Sequence, residues 1–321
     1  MLISKIEKYR VFDDDIFVIR EDLCSPFPAP NNSKVIGLEQ KLETLRKEGH
    51  HVIATQNTRI SRLGWGISWL SKKFDLVHYD FYSDAGKRGV PFFQRMSQSF
   101  GGKIIPLRGN YSRIFGAMVK QWLKKHKINA YMLPLGLSMP EAVFSHSELV
   151  RVLPSDLLQG TFIVPASSGT ISAGIIYGVA LNNYRTNVIS VFSSNFKISR
   201  HKKILNMILD TDIKNHLLSE KAIRKIFSKK HWDEVILNRR YGKVEKILTP
   251  FPCDVYLDRP AWKWMIENIG VLKKPVVFLN VGGEWNPFSG INNGLRGDGL
   301  TSKEEVNKYL EKLGGVKVDT N

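Results

Sequence analysis

Hydrophobic and polar positions follow two alternating periods along this chain. Short apolar, β-rich runs recur at residues 12–22, 50–56, 75–81, 101–107, 130–136, 160–166, 187–194 and 275–283, and each reads as a strand. Between several of them lie stretches with helical spacing. In 33–49, Val35, Leu38, Leu42 and Leu45 fall on one face and Gly49 closes the segment. Residues 59–74, 112–127 and 173–183 read as further helices. Strands alternating with helices predict an α/β fold of open, parallel-type sheets with flanking crossover helices. In such sheets ligands bind beyond the carboxyl ends of the strands, where glycine- and serine-rich loops gather.

Composition narrows the class. The chain has 321 residues, 43% hydrophobic and 11% aromatic, enough for one large core or for two lobes with a cleft between them. No apolar run is long enough to span a bilayer, and residues 1–15 lack the apolar centre of a secretory signal. The expectation is a soluble protein of the cytoplasm, or of the host cytoplasm if the chain is viral. Cys24 and Cys253 make no spaced pair, so neither a disulfide framework nor a metal site is expected.

Charge leaves two readings open. The formal net charge is +17, which attracts polyanions and equally serves solubility. Much of it sits in residues 197–246, a basic stretch expected to be helical, with Trp232 and Tyr241 set among its cations. Acidic residues dilute it. It is either a solvated helical face or a nucleic-acid contact. In the second case the contacts are Lys202, Lys203, Arg224, Lys225, Lys229, Lys230, Arg239 and Arg240.

Three segments carry candidate chemistry. Asn32-Ser33-Lys34 follows a proline-rich loop at the start of a predicted helix. The helix dipole there disfavours a cation, so a lysine held in that place has a lowered pKa and a nucleophilic amine. Alone, the motif also reads as an exposed loop lysine. Residues 164–174 run from an apolar strand through Ser167-Ser168-Gly169-Thr170 into a helix. Backbone amides and hydroxyls at such a turn can cradle a phosphate, although an ordinary capped turn has the same composition. The turn lacks both the P-loop lysine and the GxGxxG pattern. Residues 278–283 form a strand ending in Gly282-Gly283, where backbone can approach a ligand closely.

In this order the segments resemble the 1-aminocyclopropane-1-carboxylate deaminase and D-cysteine desulfhydrase family of pyridoxal-phosphate (PLP) enzymes, which have the tryptophan-synthase-β-like fold. Arg20-Glu21-Asp22-Leu23, Asn32-Ser33-Lys34-Val35 and Leu38-Glu39 resemble its opening, whose lysine forms a Schiff base with PLP. Residues 54–59 resemble the loop whose asparagine lies near the cofactor ring, and residues 133–138 resemble the Pro-Gly-Gly-Ser stretch. Ser167 to Gly174 resembles the phosphate loop, Cys253-Asp254-Val255-Tyr256 the motif with an active-site tyrosine, and 278–283 the terminal Gly-Gly strand. The resemblance covers nearly the whole chain. It implies PLP as cofactor and Lys34 as its attachment site and the base at Cα. It also implies phosphate contacts from Ser167, Ser168, Gly169 and Thr170, Asn57 and Asn280 at the cofactor, and Tyr256 as a general acid/base or orienter. A homodimer follows from it too, with a large PLP-binding domain of 1–45 and 151–321 (197–246 being the basic insert) and a small domain of 46–150.

Some positions depart from that family. Gln56 is followed directly by Asn57, without the intervening serine that can act on substrate. Leu257 follows the motif tyrosine, where a polar residue often stands. A small free amino acid gives no reason for +17. The expected function is therefore a PLP-dependent lyase, acting by decarboxylation or elimination on an amino-acid group attached to a nucleic-acid base, as in phage thymine hypermodification. The alternatives are a deaminase, desulfhydrase or racemase of a small free amino acid, and a PLP-fold binding protein without catalysis.

Overall fold

Two sheets gather the apolar runs. The computed structural model describes residues 5–25, 29–30, 32–84, 89–109, 113–193, 200–219, 221–222 and 231–283. The larger sheet holds β1 (Lys5–Val11), β2 (Asp14–Arg20), β7 (Thr161–Ala166), β8 (Asn187–Phe192), β9 (Trp232–Ile236) and β10 (Val276–Asn280). Their order is β1-β2-β10-β7-β8-β9, parallel except for the β1–β2 pair. The smaller sheet is wholly parallel, in the order β5-β4-β3-β6, from β3 (Val52–Asn57), β4 (Val77–Asp84), β5 (Lys103–Arg108) and β6 (Tyr131–Met132). Its strands fall within the 46–150 segment; those of the larger sheet flank that segment in sequence.

Burial follows the pleat. Every residue of β7 and β10 is buried, as in central parallel strands covered on both faces. Phe162 and Val164 join the core made with helices α5 (Pro140–Val152), α6 (Thr170–Leu181) and α7 (His201–Asn215). Ile163 and Phe278 join the core under α8 (Asp258–Asn268). There Trp262 meets Phe251 and Phe278 nearly edge-on, with ring centroids 5.0 and 5.3 Å away. In the smaller sheet, Ile53 packs with Leu38, Leu42 and Leu45 of α1 (Leu38–Lys47) and Ile67 of α2 (Leu63–Ser71). Its neighbour Ala54 packs with Phe115 and Val119 of α4 (Arg113–Lys125). Helix α3 (Phe92–Ser99) lies against α2.

The parallel α/β architecture matches expectation, and several local readings change. The predicted helix over 33–49 is broken: Ser33–Val35 form a 3-10 turn, and α1 begins only at Leu38. Gly37 makes the break in a left-handed conformation (φ 76°), where a β-carbon would lie 2.5 Å from the Glu141 carbonyl oxygen. The 197–246 stretch is not uniformly helical either. After α7 it returns to the sheet as edge strand β9, anchored by the buried Trp232, whose indole donates to Ser190 Oγ at 2.9 Å. The predicted strand over 130–136 shrinks to the two residues of β6 and then turns. Strand β1 and helices α3, α5 and α8 have no counterpart among the elements that the hydrophobic pattern predicts. No helix among the described residues is long and apolar enough to cross a membrane.

Candidate active site

Residues 32–34 are fastened to the end of β10. Ser33 N–H donates to the Val281 carbonyl at 2.9 Å, and Asn32 bridges to Gly282. The Ser25 hydroxyl donates to the Asn32 carbonyl and accepts its N–H, while Asn32 Oδ1 accepts the Lys34 N–H at 2.9 Å. These bonds turn the Lys34 side chain into the interior. Burial is the main cause that lowers its pKa; Arg62 adds to the lowering, and Asp254 and Asp258 oppose it. The effect expected at Lys34 is thus present, with a different cause. The α-helix starts four residues later, so desolvation does what the helix dipole was expected to do.

Strand β7 ends at Ala166 and the chain turns through Ser167, Ser168 and Gly169 into α6. Gly169 has φ 88°, and a β-carbon there would lie 2.9 Å from Ile204, so the turn closes tightly over α7. The Thr170 hydroxyl donates to the Gly136 carbonyl at 2.9 Å, and Ser168 Oγ lies 3.1 Å from it. In the first turn of α6, the Ser172 hydroxyl is buried without a partner among the described residues. A helix N-terminus, several hydroxyls and one orphaned buried hydroxyl together suit an anion.

Asn57 closes β3 on the other side. Its amide donates to Asp80 Oδ1 at 2.5 Å and to Thr55 Oγ1 at 3.2 Å, and its Oδ1 accepts the Ser61 hydroxyl at 3.2 Å. Burial pushes Asp80 up to about 6, although Asn57 pulls it down. Beside it, burial pushes His78 down to about 3, with its ring nitrogens 2.7 Å from the hydroxyls of Thr55 and Ser68.

These pieces face two adjoining cavities. Lys34, Asn57, Ser167 and Ser168 line the outer one, of about 270 Å³. Lys34, Ser167, Ser168, Gly169 and Thr170 line the inner one, with Leu257 and Val281 as apolar walls. Two expected site residues, the acid/base or orienter Tyr256 and the cofactor contact Asn280, line neither cavity. Tyr256 is half-buried, with its N–H on Asp254 Oδ1 at 2.9 Å. Asn280 is fully buried on β10, and its amide donates to Asp22 at 2.9 Å and to the Pro252 carbonyl at 2.7 Å. Asp22 in turn binds Arg20 through two bonds of 2.8 Å, so Asn280 completes an internal ionic network.

The proposed nucleic-acid contacts scatter. Lys203 lines the outer cavity, while Lys202, beside it on α7, is exposed. Arg239 and Arg240 follow β9, Arg239 being 3.5 Å from Glu245. Arg224, Lys225, Lys229 and Lys230 lie outside the described residues. The outer cavity is also lined by Gln56, Ser61, Arg200 and Tyr241, none of which the motifs point to as site residues. Ser61 had a signal, since it stands four positions after an asparagine that lacks the usual preceding serine.

No protein-family model matches the chain. It is 25% identical over 296 residues to a protein named glycyl-dTMP PLP-dependent decarboxylase from Pseudomonas phage M6, covering 87% of this chain and 98% of that one. Among solved structures it resembles a homologue of ACC deaminase, with a TM-score of 0.72 at 17% identity, over 88% of this chain and 91% of the other. It also resembles the processed form of threonine deaminase isoform 2 from Solanum lycopersicum, with a TM-score of 0.56 at 13% identity, over 89% and 84%. The chain has the tryptophan-synthase-β-like fold, fold type II of the PLP-dependent enzymes, as the resemblance implied.

Proposed function

We propose that this protein is a PLP-dependent lyase that decarboxylates an amino-acid group carried on a thymine-type nucleic-acid base. One observation carries the reading. A half-buried lysine whose ammonium is desolvated faces a phosphate-type cradle in a chain collinear with nearly the whole of a glycyl-dTMP PLP-dependent decarboxylase.

The residues present fit the cofactor. Ser167, Ser168, Gly169 and Thr170, with the α6 N-terminus, would hold its phosphate, and the orphaned Ser172 hydroxyl lies in the same turn. Lys34 would hold its aldehyde carbon, and Asn57 would flank the ring. When bound, PLP supplies a conjugated ring that takes up the electron pair left at Cα when a bond there breaks.

The chain supplies the rest. Desolvation favours the uncharged Lys34 amine, which can attack a carbonyl carbon and later hold or return a proton at Cα. Replacing a carboxylate by a proton needs such a donor. Leu63 and Leu135 line the outer cavity beside Lys34, and Leu257 and Val281 line the inner one. Apolar walls keep water from a departing carboxylate and favour its loss as uncharged carbon dioxide. Asp80 and Thr55 fix the Asn57 amide, and the Ser61 hydroxyl stands against it where the resembling family places its substrate serine earlier in the loop.

Mass spectrometry tests the reading directly. PLP-loaded protein is incubated with a thymidine nucleotide bearing a glycyl substituent on its base, free or within an oligonucleotide. The expected product has lost one carbon dioxide and kept the amine. An unchanged nucleotide, together with turnover of D-cysteine or aminocyclopropane carboxylate, would show a free-amino-acid enzyme instead. Failure to bind PLP would point to a non-catalytic protein.

A further inference from the structure

A buried pair behind the cradle has no part in the chemistry described so far. Helix α5 carries Ala142 and His146 one turn apart on a single face, and both line the inner cavity together with Ser167–Thr170 and Ser172. Two glycines of α6 let that face come so close. A β-carbon at Gly174 would lie 2.4 Å from His146 Cβ, and one at Gly178 would lie 2.6 Å from the Ser147 carbonyl oxygen.

His146 is 1% exposed, and its Nδ1 has no hydrogen-bond partner among the described residues. That atom faces Glu21 Oε1 at 3.6 Å, just too far for a hydrogen bond. Glu21 opens the 3-10 turn Glu21–Cys24 after β2, is equally buried, and has its Oε2 unpartnered among the described residues. Ser172 and His146 thus face one cavity with unused polar groups, and Glu21 backs the imidazole. Burying such groups unpaired costs stability, and an anion in the inner cavity offsets that cost. An imidazole between a carboxylate and a phosphate donates to both and joins them. Lys34 aside, His146 is the one described side chain lining the inner cavity that can carry positive charge.

We infer that His146 is a ligand of the cofactor phosphate, donating from the ring nitrogen that Glu21 leaves open, and that Glu21 is the positioning residue behind it. The inference rests on the cofactor part of the function proposed above and deepens it. None of the motifs contains His146. It is placed at the cradle by the packing of α5 on α6.

Comparing PLP with pyridoxal, which lacks the phosphate, isolates the contact. The whole chain, stripped of cofactor, is titrated with each, and binding is read from absorbance and equilibrium dialysis. His146→Leu is expected to lose about ten- to a hundredfold of the preference for PLP over pyridoxal, the range of a charge-assisted hydrogen bond, with pyridoxal affinity unchanged. His146→Gln, whose amide can donate, should regain most of it, and Glu21→Gln should lose a part. The 31P resonance of bound PLP should move between wild type and His146→Leu, which a purely structural role would not cause. If His146→Leu keeps the full preference, the inference is refuted and the lyase reading stands. If it weakens PLP and pyridoxal alike, His146 only packs the cavity, and the inference is again refuted. Should His146→Leu not fold, the wild-type protein decides. PLP, and not pyridoxal, should shift the 15N resonances of the His146 ring; equal shifts would overturn the inference. If the wild-type protein binds neither compound, both readings fall.

Discussion

At the scale of single residues, burial sets the chemistry. Lys34 has its pKa lowered because its ammonium is taken out of water, and the nearby carboxylates Asp254 and Asp258 only moderate this. His78 is pushed the same way, to about 3 from an ordinary 6.5, because its ring is enclosed between Thr55 and Ser68. Its folded pKa lies below its unfolded one, so it stays neutral in the fold while the unfolded chain takes up a proton. Its contribution to stability is intact above pH 6.5 and is lost as pH falls from there toward 3. The C2 proton of His78 in an NMR titration should therefore show no protonation shift between pH 7 and about 4. A midpoint near 6.5 would mean that the His78 ring is open to water.

The same scale shows what could be read from sequence. Lys34 was legible only through the ordered series of motifs, because nothing local distinguishes it from a loop lysine. The cause of its pKa shift was not legible, since the break at Gly37 depends on close approach of the Glu141 backbone. Asn280 looked like a ligand contact because residues 278–283 resemble the terminal Gly-Gly strand of that family. Its partner Asp22 is 258 positions away, and it takes the amide inward. Lys203 and Lys202 are neighbours in sequence with opposite fates, one lining the cavity and one in solvent.

At the scale of elements, the central strands were the clearest part of the sequence. The runs that became β7 and β10 are apolar at nearly every position because helices cover both of their faces. Strand β9 was hidden because Trp-Asp-Glu-Val-Ile lies in a charged context and pairs on one edge only. Helix α8 was missed although it carries the aromatic cluster over the sheet. Trp262 is fully buried against Phe251 and Phe278. Trp262→Ala should destabilise the fold by about 3–5 kcal/mol, read as a lower denaturant midpoint. A loss below about 1 kcal/mol would mean that α8 does not bear on the core as described. Because α8 also sets Asp258, whose carboxylate accepts the Val281 N–H at 2.8 Å, the same change should weaken PLP binding.

At the scale of the whole molecule, the two sheets bring Lys34, the Ser167–Thr170 turn and Asn57 to one cleft, and the basic stretch closes a side of it. If the substrate is the nucleotide proposed above, the net charge of +17 favours its approach to the protein, so association should weaken as salt rises. On the function proposed here, this cleft binds PLP through Lys34. Borohydride reduction of the PLP-loaded protein, followed by peptide mapping by mass spectrometry, tests it most directly. A single pyridoxyl adduct is expected, on the peptide containing Lys34, and none in Lys34→Ala. An adduct on another lysine, or none in the wild-type protein, would contradict it.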